Sequence, residues 1–76
     1  MLEILKKFIG ERITIKDLDG KHEEIEIVSV SSDGLIECLN YETKEDSSED
    51  VFRMWMHSRE IKAVFVFEKT IEATEE

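Results

Sequence analysis

The sequence predicts a mainly β domain in which one short N-terminal helix precedes five short strands that bend into a small barrel. Three observations support this fold class. The apolar spacing changes from helical to alternating after Gly10, turn sequences ending in Asp-Gly separate the early strands, and proline is absent from all 76 residues. We therefore predict a single domain over residues 1–76.

Apolar residues recur at helical spacing at the N-terminus: Leu2, Ile4, Leu5, Phe8 and Ile9. Gly10 follows at the position where glycine commonly ends a helix. These features predict a helix over residues 2–9. Such a short helix is not stable alone in water and must pack on the rest of the domain.

The next two strands are predicted over residues about 12–18 and 21–30. Alternation of Ile13 and Ile15 with polar residues identifies the first strand, and Asp19-Gly20 supplies the turn. In the second, the apolar residues change face between Ile27 and Val28. That change predicts a bulge or sharp bend, so that the strand serves both halves of a curled sheet.

The last three strands are predicted over residues about 35–41, 51–56 and 61–67. Residues 42–50 contain five acids and no apolar side chain, which indicates an exposed loop. Residues 68–76 are polar and acidic, and we expect this tail to be frayed. Apolar residues occupy both faces of the fourth and fifth strands, which leaves more apolar surface than one small barrel covers.

The composition of the chain limits the ligands, the location and the sources of stability that can be expected. With 19 acidic and 10 basic residues the formal net charge is −9, which disfavours a generic nucleic-acid binder. No apolar stretch is long enough for a membrane span, and we expect a cytoplasmic protein of a cell or an infected host. Cys38 is the only cysteine, so an intrachain disulfide is excluded. A chain this small commonly needs added stabilisation, and self-association is the remaining source.

Two segments resemble the motifs of the Sm-like family of small β-barrels. Residues 13–20 (ITIKDLDG) resemble its opening strand and turn. Residues 56–64 (MHSREIKAV) resemble its second motif, with Met56, Ile61 and Val64 at the apolar positions and His57-Ser58 where Arg-Gly is usual. The resemblance implies an Sm-like or SH3-like barrel, strongly bent, and suits a divergent member of phage origin.

In Sm-like proteins the fourth strand of one subunit pairs with the fifth strand of the next. The resemblance therefore implies a homo-oligomeric ring of five to seven subunits, a heterologous arrangement that closes by rotation. The predicted interface consists of the apolar residues of the two strands: Val51, Phe52, Met54, Trp55, Met56, Ile61, Val64, Phe65, Val66 and Phe67.

Two groups of residues are candidates for binding RNA or another anionic ligand. His57, Ser58 and Arg59 would repeat around the central opening of a ring, although a polar turn is the simpler explanation. The second group is the only basic concentration of the chain and lies on the helix side: Lys6, Lys7 and Arg12.

Nothing in the chain predicts catalysis, a cofactor or a metal ion. The two histidines are distant in sequence, and the acidic residues 42–50 lack the ligand spacing of a calcium loop. We therefore expect a non-enzymatic binding module whose ligand is RNA or a protein. The alternative is a structural or adaptor protein, such as a phage-related scaffold, that binds protein only.

Overall fold

The computed structural model describes residues 2–66 and 69–72. A helix, α1, spans Leu2–Lys6, and six strands follow: β1 (Arg12–Asp17), β2 (His22–Val30), β3 (Leu35–Thr43), β4 (Glu49–His57), β5 (Ile61–Val66) and β6 (Lys69–Glu72). All pairings between these strands are antiparallel, and they form one sheet in the order β4-β3-β2-β1-β5-β6. The mainly β class, the N-terminal helix and the five predicted strands are confirmed.

The sheet does not close, so the predicted barrel is wrong. Within residues 2–66 and 69–72, β4 pairs only with β3, and β5 lies between β1 and β6. Closure would require the outer edge of β5, and β6 occupies that edge. One 3₁₀ turn, Ser58–Glu60, carries the chain from β4 to β5, so the sheet must curl for β5 to reach β1.

The tail contains a strand that its sequence does not predict. Residues predicted to fray pair with β5 from Val66↔Lys69 to Ala63↔Glu72. Ile71 is half-buried and packs against the core, which supplies the apolar anchor of this polar segment. The end of the predicted fifth strand, residue 67, and the rest of the tail, residues 68 and 73–76, lie outside the described residues.

The helix is shorter than predicted because β pairing begins before Gly10. Phe8 N–H donates to the Leu5 carbonyl at 3.0 Å, an i→i+3 bond that tightens the last turn. Ile9 then forms a parallel bridge with Ile27, and Gly10 N–H donates to the Ile27 carbonyl at 2.7 Å. Gly10 has a φ of 87°, a conformation that redirects the chain into β1.

The β3–β4 hairpin is longer than predicted. Residues 42–50 do not form a loop throughout, since Thr43 pairs with Glu49 and the connecting turn contains only residues 44–48. Lys44 Nζ lies 2.9 Å from an Asp50 carboxylate oxygen, which offsets part of the acidic charge. Backbone pairing therefore continues through a polar stretch that carries no apolar signal.

The bulge predicted in β2 is confirmed. Its register with β3 shifts between Ile27 and Ser29, which leaves Val28 outside the ladder. This irregularity bends β2, and α1 packs against the same strand. The buried core lies on one face of the sheet and consists of Leu5, Ile13, Ile15, Ile25, Ile27, Ile36, Cys38, Met56, Ile61 and Val64.

Candidate functional site

The exposed edge of β4 is the candidate functional site. Ser58 N–H donates to the Gly34 carbonyl at 2.7 Å, and His57 pairs with Leu35 in the β3–β4 register. Bonding directions alternate along an antiparallel strand, so Val51, Arg53 and Trp55 direct their N–H and C=O groups away from β3. Within the described chain no strand covers this side of β4.

Large apolar side chains flank this edge on both faces of the sheet. Val51 and Trp55 lie on the outer face and are 50% and 57% exposed, whereas Phe52 lies on the core face and is 49% exposed. Native edge strands usually carry charges or bulges that discourage pairing with other chains. This edge carries charges at Glu49, Asp50 and Arg53, but it also presents large apolar side chains beside its free backbone groups.

The other residues of the predicted interface have different positions. Met56, Ile61 and Val64 are buried in the core of this chain. Three more residues of the predicted interface are half-buried: Met54, Phe65 and Val66. Phe67 lies outside the described residues. The structure therefore exposes three residues of the predicted surface, Val51, Phe52 and Trp55, all on β4, and their role in an interface stays a prediction.

The predicted His57-Ser58-Arg59 site forms a corner whose polar groups are engaged within the chain. His57 Nδ1 accepts a hydrogen bond from Arg59 N–H at 3.2 Å, so the ring proton belongs on Nε2, which lies 2.9 Å from the Asp33 carbonyl. The Glu60 carboxylate accepts from His57 N–H at 2.6 Å and completes a capping box. These contacts give His57 a structural role, while the Arg59 side chain remains exposed.

Gly34 is essential to this corner, although its sequence context predicts only a turn. Its φ is 93°, and a Cβ there would lie 2.8 Å from both His57 Cε1 and Ser58 Oγ. Residues 31–34 (SSDG) predict the turn, but they give no sign of the corner, because the corner joins segments more than 20 residues apart. In that turn, hydrogen bonds from Ser31 and then from Leu35 N–H lower the pKa of Asp33.

Arg12, a second predicted binding residue, is neutralised by neighbouring carboxylates. Its Nε lies 2.6 Å from Glu24, and its terminal nitrogen donates to Glu49. Its guanidinium also stacks 3.9 Å above the Tyr41 ring centroid. The hydrogen bonds to Glu49 and Glu24 raise the pKa of Arg12, and a hydrogen bond to Glu26 raises the pKa of Tyr41. A cleft of about 250 Å³ adjoins Arg12, but Glu24 lines it as well.

The remaining residues predicted to bind an anionic ligand also lie near acidic side chains. Lys6 Nζ is 3.5 Å from Glu3 on α1, and Lys7 is exposed beside it. Arg53, which the sequence analysis did not select, pairs with Glu37 of β3 on the outer face. The predicted binding residues thus occupy three separate places: the end of α1 with the residue after it, the start of β1, and the corner between β4 and β5.

Within residues 2–66 and 69–72, no three His, Cys, Asp or Glu side chains cluster as a metal ion would require. The described helices include none with the length and apolar character needed to cross a membrane. Comparison with protein-family models, curated proteins and solved structures gives no significant match.

Proposed function

We propose that this chain is a non-enzymatic binding module that assembles with copies of itself through the edge of β4. The observation that supports this function best is the combination, on one nine-residue strand, of free backbone groups and exposed Val51, Phe52 and Trp55. Addition of a strand to such an edge combines main-chain hydrogen bonds with side-chain contacts and is a common mode of protein recognition.

The ion pairs favour protein over RNA as the partner. Binding of RNA begins with exposed cations that replace the counterions of the phosphates. Here Arg12 and Arg53 are paired with carboxylates, as are Lys6 and Lys44. The net charge of −9 adds a general repulsion. A structural or adaptor role therefore fits the charges better than the RNA-binding role that the Sm-like resemblance implies.

The Sm-like relationship remains part of the proposal, and a ring is the alternative form of the assembly. The helix, the strand order through β5 and the one-turn connection after β4 agree with the layout that the resemblance implies. A ring of five to seven copies would normally use the outer edge of β5, which β6 covers here. A ring formed by this chain would need to displace β6 or use the edge of β6 itself.

Sedimentation velocity of the whole chain over micromolar to millimolar concentrations tests the proposal. We expect the wild type to self-associate and Trp55→Lys to weaken the association at least about tenfold, as loss of a central aromatic contact does. Leu18→Lys is the matched control, because Leu18 is 64% exposed but lies in the β1–β2 turn away from this edge.

The proposal fails if the wild type remains monomeric over this range. It also fails if Leu18→Lys weakens association as much as Trp55→Lys does. Titration with short U-rich RNA at low salt separates the two ligand classes, since saturable binding that depends on His57-Ser58-Arg59 would support RNA in place of protein.

A further inference from the structure

We propose that the occupant of the β4 edge is β4 of a second copy, paired antiparallel about a two-fold axis that passes beside Arg53. This inference rests on the proposed function, because both depend on association through the same edge. It adds the symmetry and the register of the contact. The product is a dimer in which the two six-stranded sheets become one continuous sheet.

The backbone of β4 suits this arrangement. Val51, Arg53 and Trp55 direct their N–H and C=O groups to the open side, as the Ser58–Gly34 bond and the β3–β4 register require. A two-fold axis beside Arg53 places these residues opposite one another, so each open donor meets an open acceptor. The nine residues of Glu49–His57 then overlap along their whole length.

The side chains of β4 are self-complementary in this register. On the outer face, Val51 of each copy lies opposite Trp55 of the other, so the two most exposed apolar residues of β4 cover one another twice. On the core face, Phe52 lies opposite Met54, again twice. Aromatic and β-branched residues directly opposite one another are favourable cross-strand pairs.

The charged side chains of β4 are compatible with a two-fold axis beside Arg53. The two Arg53 side chains approach each other, but each is held by Glu37 of its own chain, so the four groups together are neutral. The antiparallel arrangement also brings the acidic β3–β4 turn, which includes Glu45 and Asp46, toward the exposed Arg59 of the other copy. A parallel arrangement would place the two acidic turns together.

Neighbouring registers that keep the same bonding pattern are less favourable. An axis beside Phe52 places Glu49 opposite Trp55 and Val51 opposite Arg53, which removes the apolar pairs on the outer face. An axis beside Met54 places Arg53 opposite Trp55 and Val51 opposite His57, which also removes the apolar pairs on the outer face. The axis at Arg53 alone pairs apolar with apolar residues on both faces.

Disulfide trapping in a Cys38→Ala background tests the register, after circular dichroism has shown that each variant is folded. Opposite residues at Arg53 would have Cα atoms about 5.5 Å apart, within reach of a disulfide. Arg53→Cys is therefore expected to form covalent dimers under mild oxidation. Val51→Cys is the register control, because its two copies would lie more than about 13 Å apart, four residues along the strand.

A mixture of Val51→Cys and Trp55→Cys chains provides a second test that leaves Arg53 intact. We expect the mixed disulfide to exceed both self-linked products, as mass spectrometry can determine. The inference is overturned if Val51→Cys links to itself faster than Arg53→Cys, or if the mixed disulfide does not dominate. Association without these links would refute the two-fold register alone, whereas a monomeric wild type would refute the proposed function as well.

Discussion

The imidazole of His57 lies so close to the backbone of Gly34 that no side chain fits between them. A Cβ built on Gly34 would be 2.8 Å from His57 Cε1. The contact joins the turn before β3 to the 3₁₀ turn after β4, and Ser58 N–H donates to the Gly34 carbonyl beside it. The corner that leads the chain from β4 to β5 therefore depends on the absence of a side chain at position 34.

Gly34→Ala should destabilise the protein by about 2–5 kcal/mol. This range combines about 1–2 kcal/mol for a left-handed backbone conformation with about 1–3 kcal/mol for overpacking. Gly20→Ala is the matched control, because Gly20 has a similar φ of 85° but its nearest neighbour, Lys16 Cε, would be 4.0 Å from the new Cβ. Urea unfolding measures both variants, and equal losses would contradict the packing argument.

Leu5→Ala should cost about 2–5 kcal/mol and release the helix. Leu5 is fully buried, and it is the only buried residue of α1. A five-residue helix has no stability of its own, so its attachment depends on this side chain. Leu18→Ala removes the same group from an exposed turn and should change the free energy of unfolding by no more than about 0.5 kcal/mol. Hydrogen exchange of α1 that is unchanged in Leu5→Ala would argue against this anchor.

Arg12→Met should lower the urea midpoint more than Arg59→Met does. Arg12 contacts Glu24, Glu49 and the Tyr41 ring, whereas the side chain of Arg59 is exposed. The difference should narrow in about 1 M NaCl, which screens the ion pairs. Part of the difference between the two midpoints should persist at high salt, because Arg12 also stacks on the Tyr41 ring and this contact does not require the carboxylates. Identical midpoints at low salt would show that the cluster contributes nothing to stability.

The thiol of Cys38 should make the protein less stable at alkaline pH. Burial, with a smaller contribution from Glu23 and Glu37, raises the pKa of Cys38 from 9.0 to about 11. The folded state therefore keeps its proton where the unfolded state has lost it. Deprotonation therefore favours the unfolded state, so this group does not affect stability below about pH 9 and lowers it by at most about 2.7 kcal/mol between about pH 9 and pH 11.

Comparison with Cys38→Ala isolates this contribution, because the variant lacks the titrating group. The free energy of unfolding of the wild type should fall more steeply over that range than that of the variant. Parallel pH profiles would show that Cys38 does not titrate differently in the folded and unfolded states. Tyr41, whose pKa is also raised, is present in both proteins and cancels in the comparison.

Sequence patterns predicted those parts of the fold that depend on the order of apolar and polar residues within one segment. Alternation identified β1, and the change of face between Ile27 and Val28 predicted the irregularity that the β2–β3 register contains. The same reasoning failed for residues 42–50, because a hairpin can continue through polar residues when its backbone groups pair. It also failed for residues 69–72, where pairing with β5 organises a stretch that has one anchoring apolar residue, Ile71.

The candidate site was predicted in part. The apolar excess of residues 51–56 pointed to β4, and Val51, Phe52 and Trp55 are exposed there. The same pattern in residues 61–67 was also assigned to an interface, although Ile61 and Val64 are buried. An apolar side chain has the same sequence signature in a core and on a surface, so only the position of its strand in the sheet distinguishes the two.

By itself, the sequence determined the mainly β class, the turns at Gly20 and Gly34, the bulge in β2 and the acidic charge, because each depends on neighbouring residues or on composition. For residues 2–66 and 69–72, the tertiary structure alone decided that the sheet stays open, that β6 covers β5, and that β4 remains an edge. It also decided that Arg12 and His57 are used within the chain. These outcomes depend on contacts between segments distant in sequence, such as Arg12 with Glu49 and Asp33 with His57, for which no local pattern exists.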